Sequence, residues 1–166
     1  MEDGPLFVVQ RHHATTLHFD LRLQVGDVLV SWAVPKGPSL DPAVKRLAVR
    51  TGDHDLDHAT FEGRGAGGGP GTVVVWDTGR LANLTRERGR EVDLADAVAS
   101  GHLKVELFGL KLTGAFALTR TRMGDDDRNW ILVKLDDDGA DRERDPVIDQ
   151  PESVLTGRTN EDLEPD

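Results

Sequence analysis

The sequence contains no cysteine, and this absence removes several kinds of site at once. Disulfide bonds, thiolate metal sites and a cysteine nucleophile are all excluded, so a transition metal would have to be held by histidine and carboxylate side chains. A chain without disulfides fits a reducing compartment, and we expect a cytoplasmic protein.

Long apolar runs are also missing. No stretch approaches the roughly 18 consecutive apolar residues of a membrane-spanning helix, and the first residues lack the basic and apolar parts of a signal peptide. We therefore expect a protein that contacts no membrane. At 166 residues the chain is long enough for one domain with a single core.

Positive charge is scarce overall, because the formal net charge is −10 at pH 7. Taken alone, this argues against a nucleic-acid partner, whose phosphates attract lysine and arginine. However, residues 136–166 carry twelve acidic side chains against three arginines, which leaves residues 1–135 with a net charge of only −1. High charge and few apolar residues predict that 136–166 is an acidic disordered tail or linker, dispensable for chemistry, after a domain of residues 1–135.

Eight short runs rich in β-branched and aromatic residues are separated by Gly, Pro and Asp, which indicates an all-β barrel or sandwich. The runs begin at Leu6, Thr16, Val28, Arg46, Thr72, His102, Ala115 and Trp130. Gly26 and Asp27 suit a hairpin turn, residues 92–100 have the spacing of one short helix, and the glycine-rich residues 64–71 predict a mobile loop. We predict mainly a β barrel with one short helix.

The segment QRHHATTLHFDLRL, residues 10–23, carries the candidate chemistry. Side chains alternate between the two faces of a strand, so His18, Asp20 and Arg22 share one face. Same-face residues are about 6.5 Å apart, so an imidazole and a carboxylate can converge on one ion, with His12 as a third ligand. Two imidazoles and a carboxylate suit Mn, Fe, Co or Zn, and Arg22 could clamp a phosphate beside the metal.

This pattern, with four further blocks, resembles the phosphoesterase module of bacterial and archaeal DNA ligase D. That family carries a histidine, a second histidine six residues later, and then Asp and Arg at alternate positions, as at His12, His18, Asp20 and Arg22. The resemblance continues through SWAVPKGPSLDPAVKRLAVRTGDHDLDH, VVVWDTG, LKLTGAFALTR and NWILVK. It covers about residues 5–135 and implies a stand-alone or excised phosphoesterase module.

The resemblance implies two sets of site residues. The catalytic set, made of metal ligands and residues that contact the reacting phosphate, is His12, His18, Asp20, Arg22 and His54. The substrate-binding set is Gln10, Arg22, Lys36, Arg46, His54 and His58. The implied metal is Mn2+, held by His12, His18 and Asp20, and Co2+ or Zn2+ would suit the same ligands.

The site departs from the family pattern at His58. The family usually has a tyrosine there, and this chain contains no tyrosine. An imidazole can replace the hydrogen bond that a phenol donates to phosphate, but it titrates near pH 6.5 rather than near pH 10. We therefore expect a titrating donor in the site. The nearly all-glycine loop after residues 61–63 is a second departure.

The implied activity is metal-dependent processing of DNA 3′ ends during non-homologous end joining. A phosphodiesterase step removes a terminal ribonucleoside, and a phosphomonoesterase step then removes the remaining 3′-phosphate. The implied substrate is a DNA primer-template with a 3′-ribonucleotide or 3′-phosphate end. The implied partners are a DNA ligase, a polymerase and end-binding proteins, and we expect a monomer.

Three other interpretations stay open from the residues alone. The polar face of the second strand could be merely solvated, with incidental histidines. The barrel could bind nucleic acid or protein without catalysis, and His58 is the best reason to consider a decayed site. Less favoured is a non-haem iron oxygenase, which also uses two histidines and one carboxylate, because the neighbouring basic residues point to phosphate.

Overall fold

The computed structural model describes residues 4–64, 71–122 and 126–164. These residues form strands β1 (Leu6–His13), β2 (Leu17–Val25), β3 (Val28–Val34), β4 (Lys45–Asp55), β5 (Gly63–Arg64), β6 (Thr72–Asn83), β7 (Arg86–Glu87), β8 (Arg90–Glu91), β9 (His102–Phe108), β10 (Thr113–Arg120) and β11 (Asn129–Lys134). Eight of them pair in the order β1-β2-β3-β4-β11-β10-β9-β6, and β6 returns to β1. Every pairing is antiparallel, so the predicted β barrel is confirmed.

Local sequence signals agree well with the observed elements. Gly26 has a φ of +65° in the two-residue turn between β2 and β3, a backbone conformation that glycine adopts without steric cost. Helix α1 (Leu94–Ser100) begins two residues later than predicted and ends at Gly101, whose left-handed φ of 93° stops it. The predicted glycine-rich loop falls largely on residues 65–70, which lie outside the described residues.

The barrel interior is apolar and holds the main core. Phe19 and Leu21 of β2 point inward, and the largest fully buried side chains are the three tryptophans Trp32, Trp76 and Trp130. Each fully buried apolar side chain contributes about 1.5–3 kcal/mol relative to exposure. The inward parity of β2 therefore forces its polar residues onto the outer face of the barrel.

A smaller apolar cluster lies against the outside of the barrel. Its buried members are Val8, Leu29, Ala59 and Val75, and partly buried side chains from residues 6, 56 and 154 pack around them. Ala59 belongs to a 3₁₀ helix, Leu56–Thr60, that follows β4. This cluster attaches the segment after β4 and part of the C-terminal region to the same outer face.

The C-terminal segment differs from the predicted disordered tail. It contains α2 (Pro146–Asp149) and a 3₁₀ helix, Glu161–Leu163. The carbonyl of Gln150 accepts hydrogen bonds from Trp76 Nε1 at 2.6 Å and Lys111 Nζ at 2.9 Å. We call residues 150–164 the C-terminal strap. Low apolar content predicts disorder for a segment that must form its own core. The strap instead packs on the barrel and needs no core of its own.

The helices of the structure are short, and within the described ranges no helix is long and apolar enough to cross a membrane. The boundary drawn after residue 135 between a catalytic domain and a separate segment stays a prediction.

Candidate active site

The β1–β2 hairpin brings the predicted metal ligands together. Its register pairs His12 with His18 and Gln10 with Asp20, so the three candidate ligands are neighbours on one face. Their ligand atoms all lie within 4.8 Å of one another. His18 Nε2 is 3.3 Å from both His12 Nδ1 and Asp20 Oδ1. Donors that share one ion at bond lengths of about 2.1 Å stand about 3–4 Å apart, so the two 3.3 Å separations suit a single divalent cation.

Asp20 is charged despite being only 9% exposed. Burial raises the pKa of its carboxyl group, but the hydrogen bond from His18 and the positive charge of Arg22 outweigh burial, and the net pKa is below the ordinary value. Arg22 Nη2 lies 3.3 Å from Asp20 Oδ2. The carboxylate is therefore in the anionic form that a metal ligand requires.

Arg22 is 5% exposed and is held on several sides. Its Nε donates to Gln10 Oε1 at 2.7 Å, and its Nη1 donates to Ser31 Oγ at 2.9 Å and lies 3.0 Å from His54 Nδ1. Burial lowers the pKa of Arg22, and the carboxylate of Asp20 partly offsets this change. A guanidinium keeps its proton in proteins, so the site contains a fixed, oriented cation.

His54 reaches the site because of an irregularity in β4. Leu29 pairs with His54, yet Ser31, only two residues further along β3, pairs with Thr51, three residues back along β4. The extra residue is a β-bulge, which changes the parity of the strand. It allows both Thr51 and His54 to face the cavity, although regular alternation would place them on opposite faces.

His58 stacks between two other rings on the 3₁₀ helix Leu56–Thr60. Its ring centroid is 4.6 Å from that of His54, with the planes inclined by 27°, and 5.5 Å from that of Phe61, with the planes inclined by 7°. Burial, followed by the charges of Arg22 and His54, lowers the pKa of His58 to about 4. Burial and the charge of Arg22 also lower the pKa of His54.

The lowered pKa argues against titration of His58 in the physiological range, and the expectation of a titrating donor beside a bound phosphate stays a prediction. With a pKa of about 4, the imidazole stays neutral between pH 6 and 8. The residue behaves in this respect like the neutral tyrosine that the family pattern carries at this position.

These side chains enclose a cavity of about 290 Å³. It is lined by His12, Asp20, Arg22, Thr51, His54, His58 and Val73. The volume lies near the lower end of the range of small-molecule sites, which suits one phosphate group with its flanking sugar atoms. The lining combines metal-ligand atoms, a guanidinium and two neutral imidazoles, an arrangement suited to an anion beside a bound cation.

Gln10 is not among the described residues that line the cavity, so its predicted substrate-binding role stays a prediction, but it supports the residues that do line it. It is fully buried, and its Nε2 donates to the carbonyl oxygens of His58 at 2.9 Å and Phe61 at 3.2 Å. Its Oε1 accepts the bond from Arg22. One side chain thus fixes both the cation of the site and the loop that carries His58.

Lys36 and Arg46 are not brought to the cavity. Lys36 is exposed in the turn after β3, and Arg46 uses its Nε to donate to the carbonyl of Gly37 at 3.0 Å. In the described part of the chain, neither side chain lines the cavity. Arg46 instead braces the turn that contains Lys36, and the roles proposed for both residues stay predictions.

Sequence reasoning missed Ser31 and Thr51. A signal for Ser31 was present, because it is the only polar residue in VLVSWAV and a two-residue turn at Gly26 and Asp27 pairs it with Arg22. No comparable signal existed for Thr51, since its position depends on the bulge in β4.

The chain matches known proteins over most of its length. The model of the DNA Ligase D 3′-phosphoesterase domain matches residues 10–120. The multifunctional non-homologous end joining protein LigD of Pseudomonas aeruginosa is 46% identical over 158 residues, which is 92% of this chain and 18% of the relative. The corresponding protein of Mycobacterium tuberculosis is 41% identical over 135 residues, 80% of this chain and 16% of the relative. That of Mycolicibacterium smegmatis is 39% identical over 133 residues, 79% of this chain and 17% of the relative.

This chain spans less than a fifth of the length of these curated relatives. Both the family model and the relatives cover most of it, and the range of the family model includes the candidate metal ligands. The chain belongs to the DNA ligase D 3′-phosphoesterase domain family.

Proposed function

We propose that this chain is a metal-dependent phosphoesterase that processes the 3′ ends of DNA strands. It removes a terminal ribonucleoside as a phosphodiesterase and then the 3′-phosphate as a phosphomonoesterase. The observation that carries the proposal is the cluster of His12, His18 and Asp20, two of which line one cavity together with the buried Arg22. The relatives are named as end-joining proteins, which supports a role in end repair.

The metal we propose is Mn2+, and its ligands are His12, His18 and Asp20. Their mutual distances and the anionic state of Asp20 support this assignment. Bound there, a divalent cation would act as a Lewis acid on a phosphate oxygen. Co2+ and Zn2+ accept the same ligand types and are the alternatives.

Arg22 binds the reacting phosphate in this proposal. Its bonds to Gln10 and Ser31 orient the guanidinium before substrate arrives, so little reorganisation is needed during the reaction. The positive charge offsets the negative charge that builds on the phosphate oxygens. This cation also favours phosphate chemistry over the oxygenase interpretation, in which no anionic group needs to be clamped.

His54 and His58 contribute neutral hydrogen-bonding groups to the cavity, with His54 directly beside Arg22. Because burial and Arg22 lower the pKa of His54, its neutral form dominates at physiological pH. A neutral imidazole donates a hydrogen bond but is a poor proton source. We therefore assign His54 the role of a phosphate donor rather than that of a general acid.

The proposed substrate is a DNA primer-template that ends in one 3′-ribonucleotide or in a 3′-phosphate. The proposed partners, which the names of the relatives support, are the ligase, polymerase and end-binding proteins of end joining. We propose a monomer that acts in the cytoplasm, where a chain without cysteine needs no oxidising environment.

The decisive experiment uses primer-template DNA with a single 3′-terminal ribonucleotide. We expect loss of the terminal ribonucleoside and then of the 3′-phosphate in Mn2+, and no reaction in excess chelator. The products are resolved by denaturing gel electrophoresis. If the protein binds this DNA but leaves it intact in Mn2+, Co2+ and Zn2+, the chain is a non-catalytic binding barrel and the proposal is wrong.

A further inference from the structure

Glu62 joins three parts of the chain beside the candidate site. It follows the 3₁₀ helix that carries His58. Its Oε2 accepts hydrogen bonds from the Val75 N–H at 2.7 Å and from the Ser153 hydroxyl, and its Oε1 accepts the Thr156 hydroxyl at 2.8 Å. One carboxylate therefore ties the segment after β4 to strand β6 and to the C-terminal strap.

The same segment is tied to the reacting groups on its other side. The carbonyl oxygens of His58 and Phe61 both accept from Gln10 Nε2, and Gln10 Oε1 accepts from Arg22 Nε. A continuous path thus runs from the strap through Glu62, the backbone of residues 58–62 and Gln10 to the guanidinium of Arg22.

A second anchor of the strap flanks the cavity. Asn160 is fully buried, and its Nδ2 donates to the carbonyls of Arg11 at 3.1 Å and Thr72 at 2.9 Å. Arg11 Nη1 donates in return to Asn160 Oδ1 at 2.6 Å. Arg11 and Thr72 directly precede His12 and Val73, which line the cavity.

Apolar packing adds to these polar anchors. Val154 packs against the outer cluster that contains Ala59 of the 3₁₀ helix and Val75 of β6. Its N–H also donates to the carbonyl of Val75 at 2.9 Å. The strap therefore packs against the segment that carries His58, and none of its described residues lines the cavity.

We propose that Glu62 and the C-terminal strap are positioning elements of the active site. They hold the carbonyls of residues 58 and 61 where Gln10 can orient Arg22, and they hold the His58 ring against His54. Glu62 acts through this loop and Gln10, so it is a positioning residue. The expected effect of Glu62 and the strap on the reaction rate rests on the proposed function. Their effect on the position of Arg22 can be measured without turnover.

The first test replaces Glu62 in the full chain. Glu62→Ala removes all three bonds, and we expect kcat on DNA with a 3′-ribonucleotide to fall about ten- to a hundredfold, because small misplacements of reacting groups have effects of this size. KM and the affinity for Mn2+, measured by titration calorimetry, should change less than threefold, because the metal ligands lie on β1 and β2. Glu62→Gln is isosteric and can keep the bonds to Val75 and Ser153, so it should restore most of the rate.

The second test leaves Glu62 in place and removes the strap hydroxyls. The double variant Ser153→Ala, Thr156→Val keeps the Glu62 bond to Val75 and should lower kcat in the same direction, by a smaller factor. The matched control is Glu143→Gln, which changes an exposed acidic residue of the C-terminal segment and should leave the rate unchanged. If Glu62→Ala fails to fold, this double variant decides.

The third measurement separates positioning from activity. In the parent protein, the Arg22 Nε–H should exchange slowly with solvent in NMR spectra, because Gln10 accepts it in a buried place. In both the Glu62→Ala variant and the double variant, the Arg22 Nε–H proton should exchange faster than in the parent protein. Parent-like kcat together with parent-like Arg22 exchange in both variants would overturn the proposal. If the parent protein has no activity on DNA, the proposed function fails, and the exchange rates alone decide whether the strap positions Arg22.

Discussion

The β1–β2 hairpin and the C-terminal strap serve the same cavity in different ways. The hairpin supplies side chains directly, because His12, His18, Asp20 and Arg22 fall within eleven consecutive residues and face one side of two paired strands. The strap lies more than 120 residues further along the chain and reaches the site through hydrogen bonds to Glu62 and to the backbone beside the cavity.

The difference teaches what composition can and cannot predict. Composition measures whether a segment could build a core of its own, and the strap could not. It does not measure whether a segment can add a few well-placed contacts to a barrel that already exists. In the strap, Ser153 and Asn160 are buried in hydrogen bonds while the acidic residues of the last 3₁₀ helix remain exposed.

The largest expected effect tests the hairpin as the source of the chemistry. Asp20→Ala should abolish turnover, with a loss of at least about a thousandfold, because the site loses a metal ligand and Arg22 loses its counter-ion. Mn2+ binding, followed by titration calorimetry, should weaken in parallel while circular dichroism stays that of a β barrel. Parent-like Mn2+ affinity in Asp20→Ala would show that the metal assignment is wrong.

A somewhat smaller effect is expected at Arg22. Arg22→Lys keeps the positive charge but loses the planar guanidinium that donates to Gln10 and Ser31 at the same time. We expect kcat to fall about 10²–10³-fold. The rates are compared on 3′-phosphate DNA and on 3′-ribonucleotide DNA at saturating Mn2+. Arg46→Lys provides the contrast, since Arg46 lies outside the cavity and should lose less; equal losses would mean that charge alone, and not geometry, matters at Arg22.

Removing the whole C-terminal segment, which includes the strap, tests the other half of the comparison. Composition predicts a dispensable tail, whereas the contacts predict that truncation after Leu135 lowers the free energy of unfolding. Each buried donor that loses its partner, such as the indole N–H of Trp76, lowers the free energy of unfolding by about 1–3 kcal/mol. Urea unfolding monitored by tryptophan fluorescence measures this loss. An unchanged unfolding midpoint in the truncated chain would restore the view that the segment is a passive tail.

The smallest effect concerns pH and His58. The pKa of His58 in the folded protein, about 4, is below that of the unfolded chain, so the unfolded state binds a proton first as the pH falls. The stabilising contribution of neutral His58 is fully present above about pH 6.5 and is lost as the pH falls toward 4. His58→Tyr should therefore weaken the pH dependence of the unfolding midpoint between pH 4 and 6.5.

The same variant should hardly change the pH–rate profile between pH 6 and 8, because the ring it replaces is already neutral there. His58→Ala serves as the control that removes the stacked ring altogether. A clear change of the profile of His58→Tyr within that range would mean that His58 titrates in the working enzyme.

The hairpin could be predicted from the sequence because its geometry is local. Alternation along residues 17–25 decided which face of β2 is apolar, and the two-residue turn at Gly26 decided which residues of β3 stand opposite. The grouping of His12, His18 and Asp20 followed from the alternation along β2 and from the register of the β1–β2 hairpin, and their role as metal ligands stays a proposal. The barrel class followed from the spacing of eight short runs.

Only the tertiary structure decided the rest. A bulge turned His54 toward the cavity, and burial beside Arg22 made His58 a neutral group, because desolvation and neighbouring charge depend on residues distant in sequence. The fold also kept Arg46 out of the cavity and placed the strap on Glu62. Local alternation thus determined which side chains could meet on one strand face, whereas long-range packing determined their charge state and what holds them in position.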